Sequence, residues 1–220
     1  MNALDLHVHR WAPGSAIDAP TLVLLHGTGG DENDLVPLAT MVAPGAALLA
    51  VRGNVLEQGM PRFFRRLSEG VFDLEDLRRR TTELGDFLEA ARTSYGFGAD
   101  RLFALGFSNG ANVAASLLLS RPQALAGAIL IRAMVPFEPS IPVNLSGRPV
   151  LLSQGRQDPL IPVAGAERLA AILRESGADV DLEWQPGGHG LTPGDVTAVQ
   201  RWLAERRASR GDSLAQASDA

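Results

Sequence analysis

Cysteine and lysine are both absent from this chain of 220 residues, and each absence excludes several kinds of chemistry. Without cysteine there are no disulfides, no thiolate metal sites and no cysteine nucleophiles. All 20 basic residues are arginine, which excludes Schiff bases, Ser–Lys dyads and the lysine of phosphate-binding loops. Histidine is also scarce, with four residues, so few side chains are candidates for a catalytic base.

The chain also lacks a strong excess of either charge and has no long hydrophobic run. The formal net charge is -5 and there is no basic stripe, so we expect no nucleic-acid partner. The longest apolar runs, such as 46–51, are far too short to cross a bilayer. The N-terminus lacks a basic region followed by an apolar stretch, so we expect no signal peptide and a cytoplasmic location. The sequence leaves the oligomeric state open, and a homodimer is compatible with it.

Apolar runs of strand length alternate along the chain with amphipathic runs of helix length. Residues 3–11 alternate between apolar and polar side chains, which is typical of a half-exposed edge strand. The alternation predicts an α/β fold with a mainly parallel central sheet and helices on both faces. Buried strands are predicted at 21–25, 46–51, 102–105, 126–131, 150–153 and 180–184, and helices at 33–43, 74–95, 109–120, 163–176 and 193–207.

The domain organisation follows from the same patterns. One domain is predicted over residues 1–207, and the small polar residues 208–220 are expected to form a disordered tail. Residues 52–73 lack periodicity, and a loop of this length is usually functional. No insertion is large enough for a separate lid domain, although the sequence does not tell whether 52–73 acts as a mobile lid.

The pentapeptide Gly106-Phe107-Ser108-Asn109-Gly110 joins a predicted strand to a predicted helix. A serine between glycines at such a junction is typical of a nucleophile elbow, in which a tight turn lifts the hydroxyl above the sheet. The start of the helix directs backbone N–H groups to the same place, which favours a developing negative charge. We therefore predict Ser108 as the nucleophile, the alternative being an ordinary glycine-rich turn.

A serine nucleophile needs a base, and His189 is the best candidate. It lies between glycines just past the last predicted strand, at the edge of a parallel sheet where sites form. His7 and His9 share one face of the first strand and are expected to face solvent. His26 ends the second strand beside a glycine turn and is expected to support the backbone.

The acid that orients the base should lie between the serine and the histidine in the chain. Asp158 follows the predicted strand 150–153 at the correct edge of the sheet, although Asp158-Pro159 could instead form a plain turn with a helix cap. Glu138 is the weaker alternative. The other carboxylates between Ser108 and His189 are predicted to lie in the middle of a strand, at the start of a strand or on an exposed helix face.

The reaction also needs donors for the oxyanion of a tetrahedral intermediate. One should be the N–H of Asn109, directly after the nucleophile. The other is expected from Thr28 in the run Gly27-Thr28-Gly29-Gly30, where glycines let the backbone approach a substrate closely. The acidic run 31–34 is expected to cap the next helix. No cluster has metal-ligand spacing, so we expect no metal and no cofactor.

These motifs together resemble the phospholipase/carboxylesterase family of the α/β-hydrolase superfamily. The resemblance spans about residues 20–206 and includes Leu24 to Glu32, Gly106 to Ala111, Gly155 to Pro162 and Gly188 to Gly190. It implies the roles assigned above: nucleophile, acid and base for Ser108, Asp158 and His189. It also implies a serine carboxylesterase that forms an acyl-enzyme, with a small-molecule ester as its partner.

Departures from the thioesterase branch of the family refine this expectation. Asn109 stands where that branch usually has Gln, and Thr28-Gly-Gly replaces Leu-Gly-Asp. Small esters are therefore favoured over lysophospholipids and acyl-proteins. Non-hydrolytic chemistry on the same triad and a catalytically silent ligand-binding fold remain as rivals. An open, shallow pocket is expected, lined by Phe63, Phe64, Met134, Leu160 and Ile161.

Overall fold

A computed structural model describes residues 3–16 and 19–218, with side chains described as far as Arg206. The sheet strands and hairpin strands are numbered together in chain order: β1 His9–Ala12, β2 Thr21–Leu25, β3 Ala47–Val51, β4 Val55–Glu57, β5 Met60–Arg62, β6 Arg66–Ser68, β7 Val71–Phe72, β8 Leu102–Phe107, β9 Gly127–Ile131, β10 Pro149–Gly155 and β11 Asp179–Gln185. The α-helices are α1 Val36–Val42, α2 Leu74–Tyr95, α3 Asn109–Ser120, α4 Val163–Glu175 and α5 Pro193–Ser218.

Seven strands form the central sheet, in the order β1-β3-β2-β8-β9-β10-β11. Every pairing in it is parallel except that of β1 with β3, so the carboxyl ends of six strands meet at one edge. The sheet is therefore mainly parallel, as the sequence predicts.

Two hydrophobic clusters cover the two faces of the sheet. Successive side chains of β2 alternate between them, because neighbouring residues of a strand point to opposite faces. Val23 and Leu25 belong to the cluster formed with α2, α3 and α4, whereas Leu22 and Leu24 pack with α1 and α5. Helices therefore lie on both faces, which fixes the register of the buried strands.

The N-terminal segment differs from its prediction as a single edge strand. Residues Ala3–Leu6 form a 3-10 helix against α2, and the strand starts at His9. His7, expected to face solvent, is 5% exposed, and its Nδ1–H donates to the carbonyl of Arg52 over 3.0 Å. The prediction was wrong because alternation over 3–11 cannot reveal that the helical turn rotates this histidine onto the domain.

Two further segments depart from the sequence-based expectation. The acidic run 31–34 does not cap α1, whose N-cap is Leu35 without a side-chain hydrogen bond, and Glu32 instead pairs with Arg52 over 2.5 Å. Where a disordered tail is predicted from residue 208, helix α5 continues to Ser218. Residues 219–220 of that tail lie outside the described residues.

No helix in the described ranges has the length and apolar character needed to span a membrane.

The segment 52–73 is not an aperiodic loop. It forms two small antiparallel hairpins, β4–β5 and β6–β7, which extend above the carboxyl edge of the sheet. Between the hairpins, Phe63 and Phe64 are buried in the hydrophobic cluster of α2 and α3. The strands of two or three residues are too short for a periodic pattern to show in the sequence.

Candidate active site

Ser108 occupies a sharp turn between β8 and α3. Its φ of 52° and ψ of -113° are strained for a residue with a side chain. Its N–H donates to the carbonyl of Ile131 over 2.9 Å, and its carbonyl accepts the N–H of Asn112 over 2.9 Å. A Cβ on Gly110 would lie 1.9 Å from the carbonyl oxygen of Leu25, so that position has no room for a side chain. The local geometry is that of the expected elbow.

The structure brings Ser108, His189 and Asp158 into one chain of hydrogen bonds. The Ser108 hydroxyl lies 2.8 Å from Nε2 of His189, and Nδ1 of the same ring lies 2.7 Å from Oδ2 of Asp158. The carboxylate accepts a hydrogen bond from Nδ1–H, which leaves the lone pair of Nε2 free to accept a proton from the hydroxyl. Residues far apart in the sequence thus meet in the order of the predicted nucleophile, base and acid.

Backbone donors hold Asp158 in place. Its side chain is fully buried, and Oδ1 accepts the N–H groups of Leu160 over 2.8 Å and Ile161 over 3.3 Å. The alternative acid, Glu138, lies on the surface, where its carboxylate pairs with Arg168 over 2.6 Å. That pairing holds the pKa of Glu138 below its usual value. The geometry therefore separates Glu138 from the base and joins Asp158 to it.

The loop carrying His189 is anchored by Arg132, a residue that the sequence analysis missed. This guanidinium is fully buried, and it donates to the carbonyls of Gly188 over 2.9 Å and Gly190 over 3.0 Å. It also forms an ion pair of 2.9 Å with Asp195 at the start of α5. The one available signal was a charged residue directly after the buried run 126–131, at the edge of the sheet where sites form.

The carboxylate of Asp195 is stabilised as an anion inside the protein. Burial by itself would raise the pKa, but hydrogen bonds from Arg132, Ser153 and Thr192 together hold the pKa of Asp195 below its usual value. Ser153 Oγ donates over 2.6 Å and the Thr192 hydroxyl over 2.8 Å. The buried pair therefore ties three elements together: the end of β9, strand β10 and the His189 loop.

The two residues expected to supply the oxyanion donors face the same cavity as Ser108. Asn109 is the first residue of α3, so its N–H has no acceptor within the helix. The Thr28 hydroxyl accepts a hydrogen bond of 2.6 Å from Nη1 of Arg62. The N–H of the neighbouring Gly29 donates to the carbonyl of Pro61 over 2.9 Å. The Asn109 side chain accepts the N–H of Phe63 over 2.7 Å. Residues 61–63 therefore brace both predicted donors.

His26 has the backbone role expected of it. Its side chain is 1% exposed, its Nε2 accepts the N–H of Gly53 over 2.9 Å, and its Nδ1–H donates to Gly27 over 2.6 Å. Burial lowers the pKa of His26, which favours the neutral ring that these two bonds require. The histidine thus connects the glycine turn of the oxyanion loop to the segment 52–73.

The cavity beside Ser108 has a volume of about 230 Å³. Of the predicted lining residues, Met134 and Leu160 lie in its wall. Phe63, Phe64 and Ile161 do not, because all three are buried in the protein interior at 1%, 0% and 4% exposure. That part of the prediction was wrong, since the pair of phenylalanines anchors the hairpins. The wall is instead formed mainly by polar and aromatic side chains, including Arg62, Arg66, Glu69, Phe72, Phe107 and Asn112.

Comparisons with known proteins show what the chain is similar to. The sequence pattern of the phospholipase/carboxylesterase family matches residues 12–206. The putative hydrolase MhqD of Bacillus subtilis is 49% identical over 184 residues, which cover 84% of this chain and 92% of that protein. The crystal structure of a Bacillus cereus carboxylesterase has a TM-score of 0.88 at 47% identity, covering 90% of this chain and 94% of the other. The structure of YahD with malic acid has a TM-score of 0.85 at 32% identity, covering 90% and 98%.

Proposed function

Because the chain belongs to the phospholipase/carboxylesterase family of α/β-hydrolases, we propose that it is a serine carboxylesterase that hydrolyses small acyl or aryl esters. The observation that carries the proposal is the pair of hydrogen bonds running from Asp158 through His189 to the Ser108 hydroxyl. A serine hydroxyl becomes a useful nucleophile when a positioned base takes its proton.

In the proposed reaction, Ser108 Oγ attacks the ester carbonyl while its proton passes to Nε2 of His189. Asp158 stabilises the resulting imidazolium without taking the proton itself. The oxyanion of the tetrahedral intermediate accepts hydrogen bonds from the backbone N–H groups of Asn109 and Thr28. These donors are already in position, so they need not reorganise during the step. His189 then protonates the leaving alcohol, and a water molecule activated by the same ring hydrolyses the acyl-enzyme.

The size of the cavity supports small esters as substrates. A cavity of about 230 Å³ holds a short acyl group but offers little wall to a long chain. The relative YahD was solved with malic acid, a molecule about as small as a short-chain ester. We propose ligands of similar size for this chain. The hairpin segment covers one side of the cavity, and residues 132–134 contribute to the wall on another.

Two measurements on purified protein test the proposal. We expect turnover of p-nitrophenyl acetate and covalent labelling of Ser108 by a fluorophosphonate, both lost in Ser108→Ala. The control Ser120→Ala removes an exposed serine at the end of the same helix and should retain both. Labelling without ester turnover would favour non-hydrolytic chemistry. A protein that neither turns over esters nor becomes labelled would be a ligand-binding member of the fold.

A further inference from the structure

Three guanidinium groups line the cavity beside the nucleophile, and the pairing of two of them, Arg62 and Arg66, is incomplete. Arg62 ends β5 and Arg66 begins β6, so one arginine comes from each hairpin. Their side chains are 4% and 29% exposed. Burying a guanidinium is costly unless an anion and hydrogen-bond acceptors compensate for the lost water. The partners of these two groups therefore indicate what the cavity is built to hold.

Arg62 and Arg66 share a single carboxylate, that of Glu57. Nε of Arg66 lies 2.7 Å from one oxygen of Glu57, and Nε of Arg62 lies 3.2 Å from the other. Arg62 further donates from Nε to the carbonyl of Phe64 and from Nη1 to the Thr28 hydroxyl. Within the described part of the chain, Nη2 of Arg62 and both terminal nitrogens of Arg66 donate to no acceptor. Two cations and one anion leave an excess of one positive charge.

The other charged groups around the cavity have partners of their own or are exposed to water. Arg132 is balanced by Asp195, and both of its terminal nitrogens already donate to protein oxygens. Asp158 is committed to His189. Glu69 is solvent-exposed, where water and salt screen its charge. The two hairpin arginines therefore present unused donors to the cavity, and the one carboxylate they share does not match both of their charges.

A second observation comes from the opposite wall. Asn112 lies one helical turn after Ser108 and is 5% exposed. Its Oδ1 accepts the N–H of Met134 over 2.7 Å, while its NH2 group donates to no acceptor in the described ranges. Burial also lowers the pKa of Arg62, as expected for a guanidinium that lacks full compensation. Donors without partners thus face the cavity from the hairpins and from α3.

We propose that the preferred substrates are small esters that carry a carboxylate group, which Arg62 and Arg66 bind beside the nucleophile. The planar guanidinium matches a carboxylate with two parallel hydrogen bonds, and a charge-assisted pair is stronger in a partly dry cavity than in water. Asn112 supplies a further donor. This inference rests on the proposed esterase function and names the substrate class of that site.

The test compares matched esters that differ in the anionic group. On the acyl side, monoethyl succinate is compared with ethyl levulinate, in which a methyl ketone replaces the carboxylate. On the alcohol side, acetoxyacetate is compared with acetoxyacetone in the same way. Hydrolysis is followed by proton release in a pH-stat, and each kcat/KM is divided by the rate of the same ester with hydroxide. We expect the anionic ester to be preferred by about 10- to 100-fold in one of the two pairs, mainly through KM.

Variants assign the preference to the two arginines. Arg66→Gln should reduce the ratio of anionic to neutral kcat/KM by about tenfold. Arg62→Gln should reduce the same ratio and lower kcat for every ester, because it also releases Thr28. The matched control is Arg65→Gln, since Arg65 is 60% exposed, lies outside the cavity wall and pairs with Asp73. This control should change neither the ratio nor the activity.

The outcomes separate failure of the inference from failure of the proposed function. Turnover of the neutral esters without a preference for the anionic member of either pair would overturn the inference and leave the esterase standing. This comparison uses the wild-type protein, so it holds even if an arginine variant does not fold. No turnover of any of the four esters would overturn the proposed function and the inference with it. A preference that persists in Arg66→Gln and Arg62→Gln would also overturn the assignment.

Discussion

The elbow region, residues 102–120, and the two-hairpin segment, residues 52–73, meet at one cavity but are built in different ways. In the elbow region nearly every side chain is buried, and the turn at Ser108 is tightened by glycines that leave no space for a Cβ. Such packing restricts the backbone of this region to a single conformation. It places the nucleophile at the carboxyl edge of the sheet whatever the substrate is.

The two-hairpin segment has a few buried anchors and exposed tips. Phe63 and Phe64 are almost completely buried, whereas Leu56 and Leu67 are each 73% exposed. Between these tips, Arg62 and Arg66 line the cavity and pair with Glu57. This segment adds two buried rings to the hydrophobic core, braces the two predicted oxyanion donors and places two arginines in the cavity wall. We infer that the elbow region determines the reaction and the hairpins determine the substrate.

The largest expected effect is in the elbow and its two partners. Ser108→Ala, His189→Ala and Asp158→Asn should each lower kcat by about 10³- to 10⁶-fold with little loss of fold. Because the three act as a unit, the double variant Ser108→Ala/His189→Ala should be no slower than Ser108→Ala alone. Steady-state kinetics and far-UV circular dichroism check both statements. Losses that add in the double variant would mean that the residues do not form one catalytic unit.

A second prediction concerns the buried ion pair that anchors the His189 loop. Arg132→Gln should lower the free energy of unfolding by about 3–5 kcal/mol, because it leaves Asp195 buried and uncompensated. Arg168→Gln, which breaks the exposed pair with Glu138, should cost less than about 1 kcal/mol. Urea denaturation measures both. Equal losses in the two variants would show that burial does not govern the strength of these pairs.

The same ion pair predicts how stability depends on pH. The folded state lowers the pKa of Asp195, so the stabilisation that this group provides is fully present above its unfolded pKa, at about pH 4. It is lost as the pH falls through the lower folded value. Asp195→Asn should therefore lose part of the acid sensitivity of the wild-type protein between neutral pH and acid. An unchanged acid profile in this variant would assign the sensitivity to other carboxylates.

The anchors and tips of the hairpin segment should respond very differently to truncation. Phe64→Ala should cost about 3–5 kcal/mol, since it removes a fully buried ring and leaves a cavity in the cluster of α2 and α3. Leu67→Ala, at an exposed tip, should change stability by less than about 0.5 kcal/mol. Thermal unfolding of the two variants compares them directly. Similar losses would contradict the division into anchors and tips.

The sequence predicted the scaffold well because its elements are long enough to carry a pattern. Helices α2 and α3 start and end where the periodicity and the glycine turn indicate. The positions of Asp158 and His189 follow from one rule, that parallel strands end at a common edge. Phe63 and Phe64 show where this reasoning fails. Whether an aromatic side chain on a loop points into the cavity or into the core depends on contacts with distant elements, and hairpin strands of two or three residues are too short to show it.

Arg132 shows a different limit. A lone arginine after a buried strand predicts nothing until the fold brings the carbonyls of Gly188 and Gly190 and the carboxylate of Asp195 around it. These three residues lie more than fifty positions away from Arg132 in the chain. Local patterns thus identify candidate catalytic residues more readily than the residues that hold them in place.

The smallest expected effect is a preference for short acyl chains, which the hairpin segment should impose. Each buried methylene gains about 0.8 kcal/mol, but a cavity of about 230 Å³ has wall for a few carbons before the chain reaches water. We therefore expect the highest kcat/KM for acetyl to butyryl p-nitrophenyl esters and a clear fall by octanoyl. Leu67→Ala should leave this profile unchanged, because Leu67 lies outside the cavity wall. A profile that rises as far as dodecanoyl would favour a lysophospholipase or acyl-protein thioesterase, with the exposed leucines of the hairpins extending the wall for a long chain.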